Sequence, residues 1–140
     1  MLTVTREGPF WEAVEGRAPL PPAAVTLGWE LVAINPEEGT IEVAFIAGEA
    51  FLNPAGVVQG GFLAAMLDDT MGPALVSGLE PGDFAPTTDL HVQFLRPARA
   101  GRLTGRDGWC DAAGMSPSSL GSSLTRRAPL WRWPPPRRRS

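Results

Sequence analysis

The chain of 140 residues is poor in the side chains that most often build metal and redox sites. It has one cysteine, Cys110, and one histidine, His91. A disulfide framework, a cysteine-built zinc site and a histidine-rich metal site are therefore excluded, and a Ser-His-Asp triad would depend on His91 alone. The longest apolar stretch, residues 57–67, contains a glutamine and two glycines and is too short to span a bilayer. With no secretory pattern at the start, we expect a cytoplasmic protein without a membrane role.

Lysine and tyrosine are absent, and the remaining charges are divided unevenly. Residues 1–95 carry thirteen acidic residues and two arginines, a balance of −11, whereas residues 96–140 carry ten arginines and two aspartates, a balance of +8. Such a division is typical of a basic tail or of a chain made of two unlike pieces. Nucleic-acid binding by the late arginines is an alternative, but no stacking motif or recognition helix accompanies them.

Hydrophobic periodicity predicts one domain with a mixture of helices and strands. The first predicted strand has Leu27, Trp29, Leu31 and Ala33 on one face. Pro73 should kink or end the long helix, because it lacks a backbone donor. In chain order, the predicted elements are a helical turn over 10–15, a proline-fixed connector over 17–23, strands over 26–34 and 41–45, a helix from 62 to 71 with a kinked continuation, a strand over 88–94 and the start of another over 101–106.

The stretch from Asn53 to Gly72 carries the candidate chemistry. Gly60 and Gly61 stand where the long helix begins, so two backbone N–H groups are left uncovered by side chains. Together with the positive end of the helix dipole, these donors suit a developing oxyanion. A carboxylate is the segment's nucleophile or base, and Asp68 is our candidate, with Asp69 about 100° further round the helix.

This stretch resembles the active-site segment of hot-dog acyl-CoA thioesterases of the phenylacetate-degradation type. Asn53 precedes Gln59-Gly60-Gly61 by six positions, this triplet takes the place of the family's His-Gly-Gly, and Asp68 follows Gln59 by nine positions. The strand that starts at Thr87 and ends in Arg-Pro resembles the family's next strand. Over residues 10–106, the resemblance implies an α+β hot-dog fold, in which an antiparallel sheet wraps around a central helix. It also implies a homo-oligomer, either a dimer or a dimer of dimers.

The resemblance implies hydrolysis of acyl-CoA thioesters, with coenzyme A as part of the substrate and with no cofactor or metal. Gly60 and Gln59 would polarise the carbonyl, although glutamine, unlike the family's histidine, does not titrate. Asp68 would attack the carbonyl or activate water. The apolar segment favours aryl or medium-chain acyl groups. A non-catalytic acyl-CoA binder is the alternative, and a hot-dog dehydratase would need an Asp–His pair that this loop lacks. The implied substrate contacts are Asn53, Gly61 and Thr87.

The spacing of Gly60 and Asp68 has a consequence for assembly. Eight residues of helix separate them, which is about 12 Å at 1.5 Å per residue and too far for both to serve one carbonyl. If both act, Asp68 must approach the Gly60 of a second copy on an antiparallel helix. The sequence therefore predicts an obligate dimer with two sites at its interface.

Each candidate residue also has a purely structural interpretation. The two glycines would permit close packing of the helix on the sheet, and the two aspartates would form a solvated helix face. Asn53 would be a turn residue, Gln59 a helix cap, and Thr87 an ordinary strand residue. His91 alternates with polar neighbours, which favours a surface or interface position. The arginines Arg96, Arg99 and Arg102 would either meet the phosphates of coenzyme A or be solvated.

After Arg106 the sequence loses any helix or strand period. We therefore predict a hot-dog thioesterase-like domain over 1–106 and a low-complexity basic tail over 107–140. A hot-dog sheet needs two more long strands after Arg106, so the fold is expected to be incomplete. With a suitable choice of third bases, shifting the reading frame of residues 107–140 produces two alternating strand-like segments around a turn. This predicts a frameshift near residue 106, which would leave an inactive homologue as a further alternative.

Overall fold

In the computed structural model of this chain, residues 6–108 are described, and the predicted tail lies outside them except for Asp107 and Gly108. The sheet is antiparallel, with strand order β1-β2-β3. Within the described range, no helix has the length and hydropathy needed to cross a membrane. The elements are α1 (Pro9–Val14), α2 (Pro22–Leu27), β1 (Glu30–Asn35), β2 (Thr40–Ala47), a 3₁₀ turn (Glu49–Phe51), α3 (Gly60–Val76) and β3 (Gly101–Asp107).

The first predicted strand is wrong at its beginning, because Thr26 and Leu27 belong to helix α2. Pro22 occupies the first helical position, where its fixed φ favours a helix and its missing N–H is not needed. Gly28 ends the helix in the left-handed region, with φ +66°. Proline at the start and glycine at the end are a helix signature that the alternation of apolar residues hid.

The predicted hairpin forms between β1 and β2, with a bulge between Leu31 and Ala33. These two residues pair with successive residues of β2, so Val32 is the extra residue, and it is 48% exposed. An extra residue moves the following side chains to the opposite face. Leu31 is accordingly half-buried and Ala33 is exposed, so the predicted common face ends at Leu31.

The inner face of the sheet packs on α3. The buried inner-face residues of β2 are Ile41, Val43, Phe45 and Ala47. On α3 the buried residues Met66, Thr70 and Ala74 recur every four positions, as one face of a helix requires. Gly105 of β3 lets the two elements approach, since a Cβ there would overlap the Oγ1 of Thr70. The middle of α3 is thus seated directly on the sheet.

Helix α3 runs through Pro73 to Val76, so the predicted continuation is confirmed. Pro73 has no N–H to donate, which leaves the carbonyl of Asp69 without its helical partner. The indole Nε1 of Trp29 donates to that oxygen at 2.9 Å. A buried side chain thus replaces the missing helical bond and ties α3 to the residue that precedes β1.

The strand predicted over 88–94 is not a strand, because none is present between residues 84 and 100. A strand needs a neighbour for its backbone groups. Within residues 6–108, the bond from the Val58 N–H to the Ala98 carbonyl, at 2.8 Å, is the one backbone hydrogen bond between this segment and another part of the chain. The predicted alternation is present only in part, because Leu90 and Val92 are half-buried between exposed neighbours but Thr88 and Phe94 are exposed. The start of a strand predicted at 101–106 is confirmed by β3.

Candidate functional site

Asn53 organises the loop that leads into α3. Its side-chain Oδ1 accepts hydrogen bonds from the N–H groups of Ala55 at 3.0 Å and Val57 at 3.3 Å. Its own N–H donates to the Val57 carbonyl at 2.8 Å. Asn53 is therefore a turn residue, as one interpretation of the sequence held. A contact between Asn53 and substrate stays a prediction.

The first turn of α3 presents unused backbone donors. Gln59 is the N-cap residue, and its carbonyl accepts from the N–H groups of Phe62 at 3.0 Å and Leu63 at 3.3 Å. Gln59 therefore caps the helix with its backbone, as one interpretation of the sequence held, while its exposed side chain makes no capping hydrogen bond. Among residues 6–108, no acceptor is bonded to the N–H groups of Gly60 and Gly61. Two donors at the positive end of the helix dipole remain for a ligand.

Two contacts hold this first turn in place. The rings of Phe51 and Phe62 stack with centroids 4.1 Å apart and planes 10° from parallel. The N–H of Gln59 donates to the Phe51 carbonyl at 2.8 Å. The direction in which the free amides point is therefore fixed by the 3₁₀ turn that precedes the loop.

An open cavity of about 330 Å³ adjoins the start of α3. Its lining combines the end of the loop, Gly60 and Leu63 of the helix, and residues 94–98. Arg96 is the one charged residue in the described lining, and the other side chains are apolar. A Cβ at Gly60 would lie 3.1 Å from the ring of Phe94, whereas a Cβ at Gly61 would meet nothing within 4 Å. Gly60 therefore lines this cavity and Gly61 has open space around it, so neither glycine is needed for contact with the sheet.

Asp68 lies in the middle of α3, half-buried, and binds Thr87. The Thr87 hydroxyl donates to Asp68 Oδ1 at 2.6 Å, a length typical of a hydroxyl bound to a carboxylate. The pair joins the helix to the extended segment 84–100. Thr87 therefore orients the candidate carboxylate, and its predicted contact with substrate stays a prediction.

Asp69 has a different environment from its neighbour. Its Oδ2 is buried and has no hydrogen-bond partner within residues 6–108. Burial raises the pKa of Asp69 above its ordinary value, and the negative charge of Asp68 adds to this rise. The backbone carbonyl of Asp69 is the acceptor for the indole of Trp29. Of the two carboxylates, only Asp68 is bound by a hydroxyl group in the described structure.

The start and the middle of α3 do not converge within one protomer. Gly60 and Asp68 belong to one uninterrupted helix, so the rise of 1.5 Å per residue keeps them about 12 Å apart along its axis. The predicted need for a second copy is therefore unchanged.

Some of the arginines form ion pairs with glutamates, and others do not. Arg102 donates to Glu30 at 2.9 Å, and Arg106 donates to Glu42 at 2.9 Å. These bonds lower the pKa of both glutamates. Arg96 lines the cavity and forms no ion pair within residues 6–108. Among the three arginines suggested for phosphate binding, the geometry favours Arg96 over Arg102.

Other candidate sites receive no support from the geometry. His91 is exposed, in agreement with a surface or interface position. In the part of the chain that the structure describes, no cluster of three or more His, Cys, Asp or Glu residues could hold a metal.

Sequence reasoning did not single out Phe94 or Trp29 as part of this region. A signal for Trp29 exists, because a proline inside a helix always leaves a carbonyl that needs another donor. Phe94 carried no such signal, because its neighbour Gly60 is far away in the sequence.

Comparison with known proteins places these features in a family context. A family model described as the thioesterase superfamily matches residues 55–115. The chain is similar to a phenylacetic acid degradation-related protein from Ralstonia eutropha JMP134, with 46% identity and a TM-score of 0.68 over 69% of this chain and 74% of that one. It is also similar to the E. coli PaaI protein of the phenylacetic acid degradation operon, with 26% identity and a TM-score of 0.58 over 69% and 67% of the two chains.

A third similar structure is a thioesterase from Haemophilus influenzae, with 31% identity and a TM-score of 0.54 over 60% of this chain and 57% of that one. No curated protein matches the chain. These likenesses, with the antiparallel sheet on a central helix, confirm the expected hot-dog fold.

Proposed function

The chain belongs to the thioesterase superfamily and is a thioester hydrolase, and we propose that its substrates are acyl-CoA thioesters with aryl or medium-chain acyl groups. The observation that carries the proposal is the pair of free amides, Gly60 and Gly61, at the start of α3, where Gly60 lines a mostly apolar cavity. Two similar proteins are named for phenylacetic acid degradation, which favours aryl groups.

In the proposed site, the thioester carbonyl oxygen accepts a hydrogen bond from the Gly60 N–H. The side-chain amide of Gln59 is a second donor to the same oxygen. Charge develops on this oxygen when the carbonyl carbon is attacked, and the helix dipole stabilises it there. Gly61, Asn53 and Thr87 are the proposed substrate contacts. The acyl group occupies the cavity, and coenzyme A extends towards solvent.

The proposed acid is Asp68 of a second copy, with its carboxylate oriented by a Thr87 hydroxyl. As a general base, it takes a proton from water while the oxygen of that water bonds to the carbonyl carbon, and the thiolate then leaves and takes up a proton. As a nucleophile, it forms a mixed anhydride with loss of the thiolate, and water then cleaves the anhydride. Both routes require the same dimer, or a dimer of dimers built from it.

The test is release of free thiol from a panel of phenylacetyl-, benzoyl-, hexanoyl- and decanoyl-CoA. Asp68→Asn should lower turnover by roughly 10²-fold or more, because the base or nucleophile is lost. Asp89→Asn, an exposed aspartate on the extended segment, is the matched control and should retain turnover. Near-normal hydrolysis by Asp68→Asn would reject the assignment.

Sharing of the site between two copies has its own test. Co-expression of Asp68→Asn chains with Gly60→Pro chains gives mixed dimers in which one of the two sites has both intact groups. Random pairing should restore about a quarter of wild-type turnover. No recovery in purified mixed dimers would contradict the shared site.

A non-catalytic acyl-CoA binder is the second candidate, and Gln59 in place of the family's histidine favours it. Tight binding of acyl-CoA without thiol release would identify a binder.

The frameshift near residue 106 remains a proposal about the tail. It is supported by the two strand-like segments that the shifted reading frame of residues 107–140 produces. Sequencing codons 104–110 and measuring the intact mass test it, and an in-frame reading would end it. A frame-corrected chain, assayed beside this one, would tell whether the present tail limits activity.

A further inference from the structure

We infer that Phe94 determines which acyl groups the site accepts, by providing the wall against which an aryl group packs beside Gly60. This inference rests on the proposed function, because it takes the Gly60 amide as the partner of the thioester carbonyl. It adds a specificity-determining residue that lies outside the Gln59–Asp68 segment.

The position of the Phe94 ring is the first observation. Its Cζ lies 3.1 Å, and its Cε1 and Cε2 lie 3.4 Å, from the point that a Cβ of Gly60 would occupy. The ring edge therefore lies next to the residue whose N–H is free, in the space that a side chain at position 60 would take. In a thioester, the acyl chain is bonded directly to the carbonyl carbon, so its first atoms must lie within a few ångströms of that N–H. Phe94 is consequently placed to meet the acyl group rather than the distant nucleotide end of coenzyme A.

The shape and polarity of the cavity are the second observation. Its volume of about 330 Å³ is at the lower end of the range for small-molecule sites, about 300–1,000 Å³. Val57 and Leu63 join Phe94 as apolar walls. A compact apolar group fits this space better than a long chain, and an aromatic ring gains additional attraction from Phe94 by stacking or edge-to-face contact.

The exposure of Phe94 is the third observation. The residue is 56% exposed, so it is not an anchor of the core. Ring surface that is open to water becomes buried when an apolar group enters the cavity, which favours binding. Phe84 lies on the same extended segment and is also 56% exposed, but it does not line the cavity. The chain thus contains its own matched control.

The experiment measures binding with two analogues that cannot be hydrolysed, the thioether ketones S-phenacyl-CoA and S-(2-oxoheptyl)-CoA. Both keep the carbonyl and the coenzyme, and they differ only in an aryl or an alkyl end. Calorimetric titration of the full chain gives the ratio of the two dissociation constants. We expect the wild type to prefer the phenacyl compound, and Phe94→Ala to reduce this preference about three- to tenfold.

Phe94→Leu and Phe84→Ala complete the series. Leucine keeps apolar surface but has no ring, so we expect alkyl binding to persist while most of the aryl preference is lost. Phe84→Ala should leave the ratio unchanged. Because the preference is a ratio measured on one sample, a partly unfolded fraction does not alter it. An unchanged ratio in Phe94→Ala, or an equal change in Phe84→Ala, overturns the inference.

Failure of the inference and failure of the proposed function are distinguishable. A wild type that binds with aryl preference but releases no thiol contradicts the hydrolysis and leaves the role of Phe94 standing. Hydrolysis with a ratio that does not respond to Phe94→Ala overturns the role of Phe94 alone. A wild type that binds neither analogue overturns the inference.

Discussion

The start and the middle of helix α3 use opposite means to present chemical groups. At the start, Gly60 and Gly61 offer backbone donors that depend on the absence of side chains, next to an open cavity. In the middle, Asp68 offers a side chain that depends on a neighbour, the hydroxyl of Thr87. The middle is also held from two sides, by the indole of Trp29 and by close contact with Gly105.

This difference predicts which substitutions the start and the middle of the helix tolerate. A backbone donor is removed only by proline, whereas a side-chain acid is removed by any substitution that lacks it. The start should therefore respond to the chemistry of position 60 itself, and the middle should respond to the residues around it.

Gly60→Pro should remove the proposed oxyanion donor with little damage to the helix. Proline is favoured at the first helical position, and Gln59 before it already has the extended ψ of 138° that a following proline requires. Turnover should fall by about 10²- to 10³-fold, as when one oxyanion donor is lost. The measurement is kcat from thiol release.

Gly60→Ala is the control for this change, because it adds a Cβ against Phe94 but keeps the N–H. It should retain far more turnover than Gly60→Pro, since an exposed ring can shift by a few tenths of an ångström. Equal losses in the two variants would mean that crowding, and not the amide, explains the effect.

Thr87→Val should lower kcat roughly tenfold, because the valine cannot donate to Asp68, and should also raise KM, because the proposed contact with substrate is lost. Thr87→Ser restores the hydroxyl and should recover most of the turnover. A rise in KM without a loss of kcat would mean that Thr87 contacts substrate but does not position Asp68.

Gly105→Ala should destabilise the fold by about 1–3 kcal/mol, because the added Cβ overlaps Thr70 and lies 3.2 Å from the ring of Phe45. Gly48→Ala is the matched control, since a Cβ there meets nothing within 4 Å and the backbone is extended. Chemical denaturation gives the free energy of unfolding of both variants. A loss in Gly48→Ala as large as that in Gly105→Ala would refute the packing explanation.

Asp69→Asn should change how stability depends on pH. The pKa of Asp69 is raised in the fold, so between its ordinary value of 3.8 and its folded value the native state binds more protons than the unfolded state. Stability therefore falls as pH rises through this window. Asparagine does not titrate, so the stability of the variant relative to wild type should increase from acid to neutral pH. Denaturation midpoints between pH 4 and pH 8 check this, and parallel curves would contradict it.

Asp68→Asn provides the companion measurement. The charge of Asp68 is the second cause of the raised pKa of Asp69, after burial. Removing it should weaken the pH dependence without abolishing it. Complete loss of the pH dependence would mean that burial raises the pKa of Asp69 less than the structure indicates.

The sequence was informative where local signals and tertiary packing agree. The hairpin and α3 followed from alternation, turn residues and helix formers, and the spacing of Gly60 and Asp68 followed from helix geometry alone. The predictions were wrong at the start of the first strand, because Pro22 and Gly28 begin and end a helix there despite the alternation of apolar residues. They were also wrong over residues 88–94, because that segment lacks a strand neighbour for its backbone groups. The cavity and Phe94 arise from contacts between distant parts of the chain, which no local pattern encodes.

The bond between Trp29 and the carbonyl of Asp69 gives the two residues around Pro73 unequal importance. A carbonyl oxygen has two lone pairs, so Pro73→Ala adds an ordinary helical donor without displacing the indole. Trp29→Phe, in contrast, leaves that oxygen with no donor at all. A proline at position 73 is therefore replaceable in evolution, but the tryptophan becomes indispensable for as long as the proline stays, which fixes the order in which the two positions can change.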